Sequence, residues 1–221
     1  PEHVVAAFPE HTPDKVVIKD ITHWRDYVHA PSVKFPDSEG EPLIAQAEAV
    51  DRKEKFVTAM VAPGLFEQCH HLGEIQQTLI NLYDEPEHMK DLIQYLVDYE
   101  LALAEEICNH IKPDALFHHD DWGTQRGGFF SNEMFREQIM PSTSRLLKFI
   151  KDSGKFIELH SCGKNIQYVP EMLEMGIDMW TPQDMINEPD FLYETYGDKM
   201  TFCFTIHIDP KADEAAVRAQ V

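Results

Sequence analysis

Residues 154–163 read GKFIELHSCG. Gly154 stops a preceding helical run, and 155–160 alternates as a strand does, so Glu158, His160 and, with continued extension, Cys162 share one face while Leu159 takes the other. A histidine nitrogen and a cysteine thiolate two residues apart can reach one zinc ion, with Gly163 letting the backbone turn away close to it. The same residues also read as a hydrogen-bonded core histidine beside a small buried hydrophobe. Two donors do not fill a four-coordinate site, and the residues alone leave both readings open.

Outward from this strand, helix and strand patterns alternate. Before it, 131–152 reads as helix interrupted near Pro141, 115–120 as strand, and 86–111 as a helix whose Leu92, Tyr95, Leu96, Tyr99, Leu103 and Ile107 form a stripe. Residues 65–83 read as one helix, 56–62 as a strand closed by Pro63-Gly64, and 41–55 as helix. A short strand is expected at 16–18, within an irregular segment 1–40. After it come a short helix at 166–175, a strand at 177–180, and a helix with Thr181 as N-cap, Pro182 first and Asp184 in its first turn. A strand at 200–207 and a final helix after Asp209-Pro210 complete the pattern.

Such alternation predicts a parallel sheet covered by helices. Neither GxGxxG nor GxxxxGK[ST] occurs, and polar residues cluster at strand C-terminal ends, at 118–121, 158–162, Trp180 and His207. That distribution predicts an α/β TIM-type (β/α)8 barrel rather than an open nucleotide-binding sheet. A complete barrel takes about 250 residues, so these 221 residues are expected to form a single barrel domain that is incomplete and lacks terminal elements. A start at Pro1 without methionine and a stop at Val221 within a helical run point the same way.

With 43% apolar and 26% charged residues the chain can bury a sizeable core. Its 19 basic and 39 acidic residues give a net charge of −20, which repels nucleic acid and anionic membranes. No apolar run approaches the length of a membrane span. Four widely separated cysteines, Cys69, Cys108, Cys162 and Cys203, suit a reducing compartment rather than a disulfide framework, so a cytoplasmic location is expected.

Candidate site residues follow from the strand ends. Glu158 suits a metal ligand, an acceptor for His160 or a base. In HHDDWG, residues 118–123, His118 and Asp120 share one strand face and His119 and Asp121 the other. Asp120 can hold a substrate nitrogen or position a proton, with Trp122 beside it, or else Asp120 or Asp121 caps the loop while Trp122 closes the barrel as an apolar lid. Arg126, before Gly127-Gly128, suits an acidic substrate group, and His207 ends a strand at the same mouth. Cys69, Cys203 and His207 are the further metal-donor candidates, Cys203 reading equally as core. His70 and His71 read as surface or helix-end histidines, and the methionines as core filling.

The segments PDALFHHDDWG (113–123), GGFFSNEMFREQIMPSTSRLLKFIKDSGKFIELHSCG (127–163) and LEMGIDMWTPQ (173–183), with DEPEHMKDLI (84–93) and HIDP (207–210), resemble the uroporphyrinogen decarboxylase superfamily from Phe56 onward. The His-x-Cys-Gly motif at His160 and Cys162 is similar to the zinc pair of its cobalamin-dependent methyltransferase branch. That resemblance implies zinc, a corrinoid or corrinoid protein as methyl carrier, and a small thiol as acceptor. It also implies a third zinc ligand, a cysteine near the last barrel strand, beyond residue 221. The alternative implied by the same superfamily is uroporphyrinogen decarboxylase itself, metal-independent, with Asp120 near the family's strand-end acid. No arginine motif for carboxylates appears in 1–40, where Arg25 stands alone. A noncatalytic corrinoid-binding homologue is the remaining alternative.

Overall fold

The structure is a computed structural model that describes residues 14–34, 37–183, 185–204, 211 and 214–218. After a 3-10 turn at Ile21–Asp26 the elements run α1 (Asp37–Glu48), β1 (Thr58–Val61), α2 (Leu65–Gly73), α3 (Ile75–Asp84), α4 (Pro86–His110) and β2 (Ala115–His119). A small hairpin, β3 (Gly123–Thr124) and β4 (Gly127–Gly128), precedes α5 (Asn132–Met134), which passes through a π turn at Phe135–Ile139 into α6 (Met140–Asp152). Then follow β5 (Phe156–Ser161), α7 (Val169–Glu174), β6 (Met179–Pro182), α8 (Pro189–Tyr196), β7 (Thr201–Phe202) and α9 (Glu214–Arg218).

The main sheet has five strands in the order β1-β2-β5-β6-β7, every neighbouring pair parallel. Each new strand joins the same growing edge, and the order never reverses as it does in a doubly wound sheet. This is an α/β fold corresponding to part of a TIM-type barrel. The expected incomplete barrel matches this sheet.

Alternation along the strands separates two faces. Val61, Leu116, His118, Ile157, Leu159, Ser161 and Trp180 point to the buried side, each at most 1% exposed. There the helices pack, through Leu92, Ile93, Leu96 and Val97 of α4, Leu146, Leu147 and Ile150 of α6, and Met172 of α7. The other face carries Met60, Phe117, Glu158 and Met179, aligned across four strands by register. Met60 on β1 is 61% exposed, as suits the concave side of a barrel section whose further strands are not among the described ones.

Several local expectations change. The strand expected at 16–18 does not form: the amides of Val17 and Ile18 both donate to Leu72 O at 2.9 Å, so this segment closes the end of α2 instead of joining a ladder. The single helix expected at 65–83 is broken at Glu74, whose φ of 72° is not helical and whose carboxylate caps α3 by accepting from the amides of Gln76 and Gln77. Thr181 and Pro182 belong to β6, opposite His160 and Ser161, and do not start a helix. Among the described residues β7 pairs β6 only through Met179 and Trp180, short of Pro182, which lacks the amide a further ladder bond would use. Asp184 lies outside the described residues. The interruption expected near Pro141 is the π turn, where Met140 N donates to Phe135 O five residues back.

The loop after β5 is tightly held. Gly163 has φ 98°, and a Cβ there would overlap the backbone of Gly123, so both conformation and contact demand glycine. Asn187, 0% exposed, accepts from the amides of Asn165 (2.8 Å) and Ile166 (3.0 Å) and donates to the carbonyls of Gly163 (2.9 Å) and Gln183 (2.7 Å). Asn165 in turn donates to Ser161 Oγ and Cys162 O. Leu159→Ala, a buried truncation, is expected to lower unfolding free energy in urea by about 2–5 kcal/mol. Asn187→Ala is expected to cost about 2–4 kcal/mol, because it strands four backbone groups at once, two of them buried. A loss below about 1 kcal/mol in either would contradict the packing described.

Candidate functional site

The C-terminal ends of β2 and β5 lie side by side, His119 opposite His160 in register. Their rings stack at 4.7 Å and 23°, and Phe117, one layer deeper on β2, lies parallel to the His160 ring at 6.2 Å. Three further bonds stitch the two strand ends together: Asp120 N to His160 O (3.1 Å), Trp122 N to Ser161 Oγ (3.1 Å), and Cys162 N to Asp121 Oδ1 (2.6 Å).

His160 is where the polar groups meet. Its Nε2 lies 3.1 Å from Cys162 Sγ and 3.8 Å from Asp121 Oδ1. His119, Asp121 and His160 each offer a ligand atom within 4.8 Å of the other two. Burial lowers the His160 pKa, which keeps the imidazole neutral and its nitrogen free to donate electrons, and burial pushes the Cys162 thiol up to about 11. A bound cation would reverse that preference for the protonated thiol, since metals take the thiolate.

On the helical side of His119 stands Glu67, in the first turn of α2 and 2% exposed, with Oε2 at 2.6 Å from His119 Nδ1. This pairing raises the His119 pKa. A second group of potential ligands, Glu67, His70 and His71, runs along the same helix and shares that carboxylate.

Asp120 and Trp122 occupy a different position from the mouth. Asp120 is 0% exposed and accepts from Phe66 N (3.2 Å), Glu67 N (2.9 Å) and Trp122 Nε1 (2.9 Å). It thereby holds the first amides of α2, groups that no intrahelical carbonyl can satisfy. Burial, then the neighbouring Glu67, raises its pKa to about 7. Trp122, also 0% exposed, packs against Phe135 and Tyr168.

The remaining sequence candidates fall as follows. Glu158 lies on the concave face one layer below His160, 3.4 Å from the Thr181 hydroxyl. Arg126 is exposed on the β3–β4 hairpin. Cys69 is 1% exposed in the core, where burial raises its thiol pKa. Cys203 is exposed, its Sγ 3.2 Å from Met179 Sδ. His207 lies outside the described residues.

Glu67 was missed from the sequence, although Glu67, His70 and His71, spaced for one helix face, carried a signal. His119 and Asp121 were recognised as sharing a face, but alternation alone does not say which face of β2 turns inward. Aligning HHDD beside ELHSC as parallel neighbours would have assigned it.

The sequence matches the family described as Uroporphyrinogen decarboxylase (URO-D) over residues 67–201. No curated protein matches it. Among solved structures, a methyltransferase from Methanosarcina mazei superposes with a TM-score of 0.62 at 13% identity, covering 75% of this chain. The chain spans 47% of that protein, about half its length, and the likeness concerns the fold. The match takes in α2 through β7, including Glu67, both strand ends and the His160–Cys162 motif, and on it this chain belongs to the uroporphyrinogen decarboxylase family.

Proposed function

We propose that this chain carries a zinc-dependent methyltransferase site, moving a methyl group between a corrinoid, free or protein-bound, and a small thiol. His160 and Cys162 are its metal ligands. The observation that carries the reading is the convergence of a nitrogen, a sulfur and an oxygen donor, His160 Nε2, Cys162 Sγ and Asp121 Oδ1, at the mouth of the sheet. This is a zinc-type donor set, and strand register together with the Asn187 clamp holds it in place.

Zinc held there would supply a Lewis acid that lowers the pKa of an acceptor thiol. His160 presents a neutral imidazole, and Asp121, by accepting from Cys162 N, fixes the turn that brings Sγ back toward His160. Glu158 and Thr181 line the concave face beneath, and Glu158 would receive the proton that a thiol gives up. Asp120 acts as a positioning residue, securing the start of α2 and with it Glu67. Arg126, on the exposed hairpin, would meet an acidic group of the acceptor. A methylated corrinoid would supply the methyl group, its cobalt keeping the electron pair of the broken bond, and the acceptor sulfur would take the methyl as its proton passes to Glu158.

The carboxylates of Glu67, Asp121 and Glu158 around this mouth favour a cation and oppose a polycarboxylate substrate. The second reading, metal-independent decarboxylation of a tetrapyrrole, is favoured by the family's own description. No helix among the described residues is long and apolar enough to cross a membrane.

Methylcobalamin and a panel of small thiols decide between the readings. The purified protein is expected to hold zinc and to methylate a thiol, and chelation or Cys162→Ala is expected to reduce the rate at least about a hundredfold. Activity that survives both treatments would overturn the proposal. Metal-independent decarboxylation of uroporphyrinogen would establish the second reading.

A further inference from the structure

We infer that the donor set begun by His160 and Cys162 is completed within this chain by His119 and Asp121 from the end of β2, with Glu67 of α2 as the carboxylate that fixes the His119 ring. The inference rests on reading His160 and Cys162 as metal ligands, and it adds the residues that turn a pair into a four-donor set for a zinc-class cation.

Three observations converge. First, His119, Asp121 and His160 already place one ligand atom each within 4.8 Å of the others, and Cys162 Sγ lies 3.1 Å from His160 Nε2. An ion between His119, Asp121 and His160 can therefore be reached from two adjacent strand ends, with Cys162 Sγ beside its His160 donor. Second, the four donors are an imidazole pair, a thiolate and a carboxylate, all of which zinc accepts.

The third concerns Glu67. A histidine that binds a metal through one nitrogen usually donates the other N–H to a carboxylate, which fixes both tautomer and ring orientation. Glu67 Oε2 stands 2.6 Å from His119 Nδ1. Donation from Nδ1 leaves Nε2 with its lone pair, as a ligand needs. Glu67 is itself buried at 2% exposure, and Asp120 accepts from its amide at 2.9 Å. A carboxylate so placed is a support built into the fold, unlike a surface ion pair, which would leave both side chains solvated.

The Glu67, His70 and His71 group on α2 competes for the same carboxylate. The β2 site is favoured because it adjoins Cys162, the one thiol at this mouth among the described residues.

Co2+ is the probe, because cobalt bound to thiolate absorbs in the near ultraviolet and its visible bands report the remaining ligands. The full chain is titrated as wild type, His119→Ala, Asp121→Asn, Glu67→Gln, Cys162→Ala and His70→Ala, with circular dichroism confirming the fold of each. Wild type is expected to bind one Co2+ per chain with a thiolate band. Glu67→Gln is expected to weaken binding about 10–100-fold. His119→Ala and Asp121→Asn should weaken it at least as much, with altered visible bands but the thiolate band retained, and His70→Ala should bind as wild type does.

Wild-type affinity and spectrum in both His119→Ala and Asp121→Asn would overturn the inference, as would loss of binding in His70→Ala. If the thiolate band still disappears in Cys162→Ala, the proposed function survives that failure. Absence of Co2+ binding by wild type would overturn both. Should His119→Ala not fold, histidine 15N shifts of the wild type on adding Zn2+ decide the matter: two perturbed imidazoles are expected, and a single one contradicts the inference.

Discussion

The in-register parallel pairing of β2 with β5 is the constraint on which the site depends. It sets His119 opposite His160, and alternation then turns both rings to the concave face while Leu159 and His118 go to the helices. Beyond the last ladder bonds, the chain does not simply diverge. The Asp120, Trp122 and Cys162 amides each bond across to the other strand end, so the two turns form one unit. A slip of one residue in this register would send the whole polar set into the core.

Around that unit the protein buries an unusual amount of charge-bearing chemistry. Asp120 at 0% exposure and Glu67 at 2% sit close enough for Glu67 to raise the Asp120 pKa. Burial of carboxylates is costly unless donors compensate it, and three N–H groups do so for Asp120. Glu67 is compensated by His119. The result is a concentration of negative potential at one end of the sheet, with His119, whose pKa the Glu67 pairing raises, as its counterweight. A divalent cation placed between His119, Asp121 and His160 would complete that balance, which is why geometry and electrostatics agree on the same location.

Much of this was legible before any coordinates. The alternation of helix and strand patterns, the absence of phosphate-binding glycine motifs and the polar strand ends suffice for a parallel barrel-type sheet, and the sheet order agrees. Glu158, His160 and Cys162 were assigned to one face because strand periodicity is exact where β5 is regular. What escaped depended on contacts between distant segments. Asp120 and Trp122 read in one dimension equally as mouth residues or as cap and lid, and the choice rests on their carboxylate and indole meeting each other and the start of α2, a helix more than fifty residues earlier. Thr181-Pro182 reads as a helix start because its local chemistry suits one, but pairing with β5 overrides that preference. Glu74 breaks a helix that the apolar pattern runs straight through, since its carboxylate can cap the next one.

X-ray absorption at the zinc edge of the metal-loaded protein tests the central claim most directly. The account predicts a mixed shell with a single sulfur at about 2.3 Å and nitrogen or oxygen donors near about 2.0 Å, together with the outer-shell scattering of imidazole rings. A shell with two or more sulfurs, or with none, would contradict it.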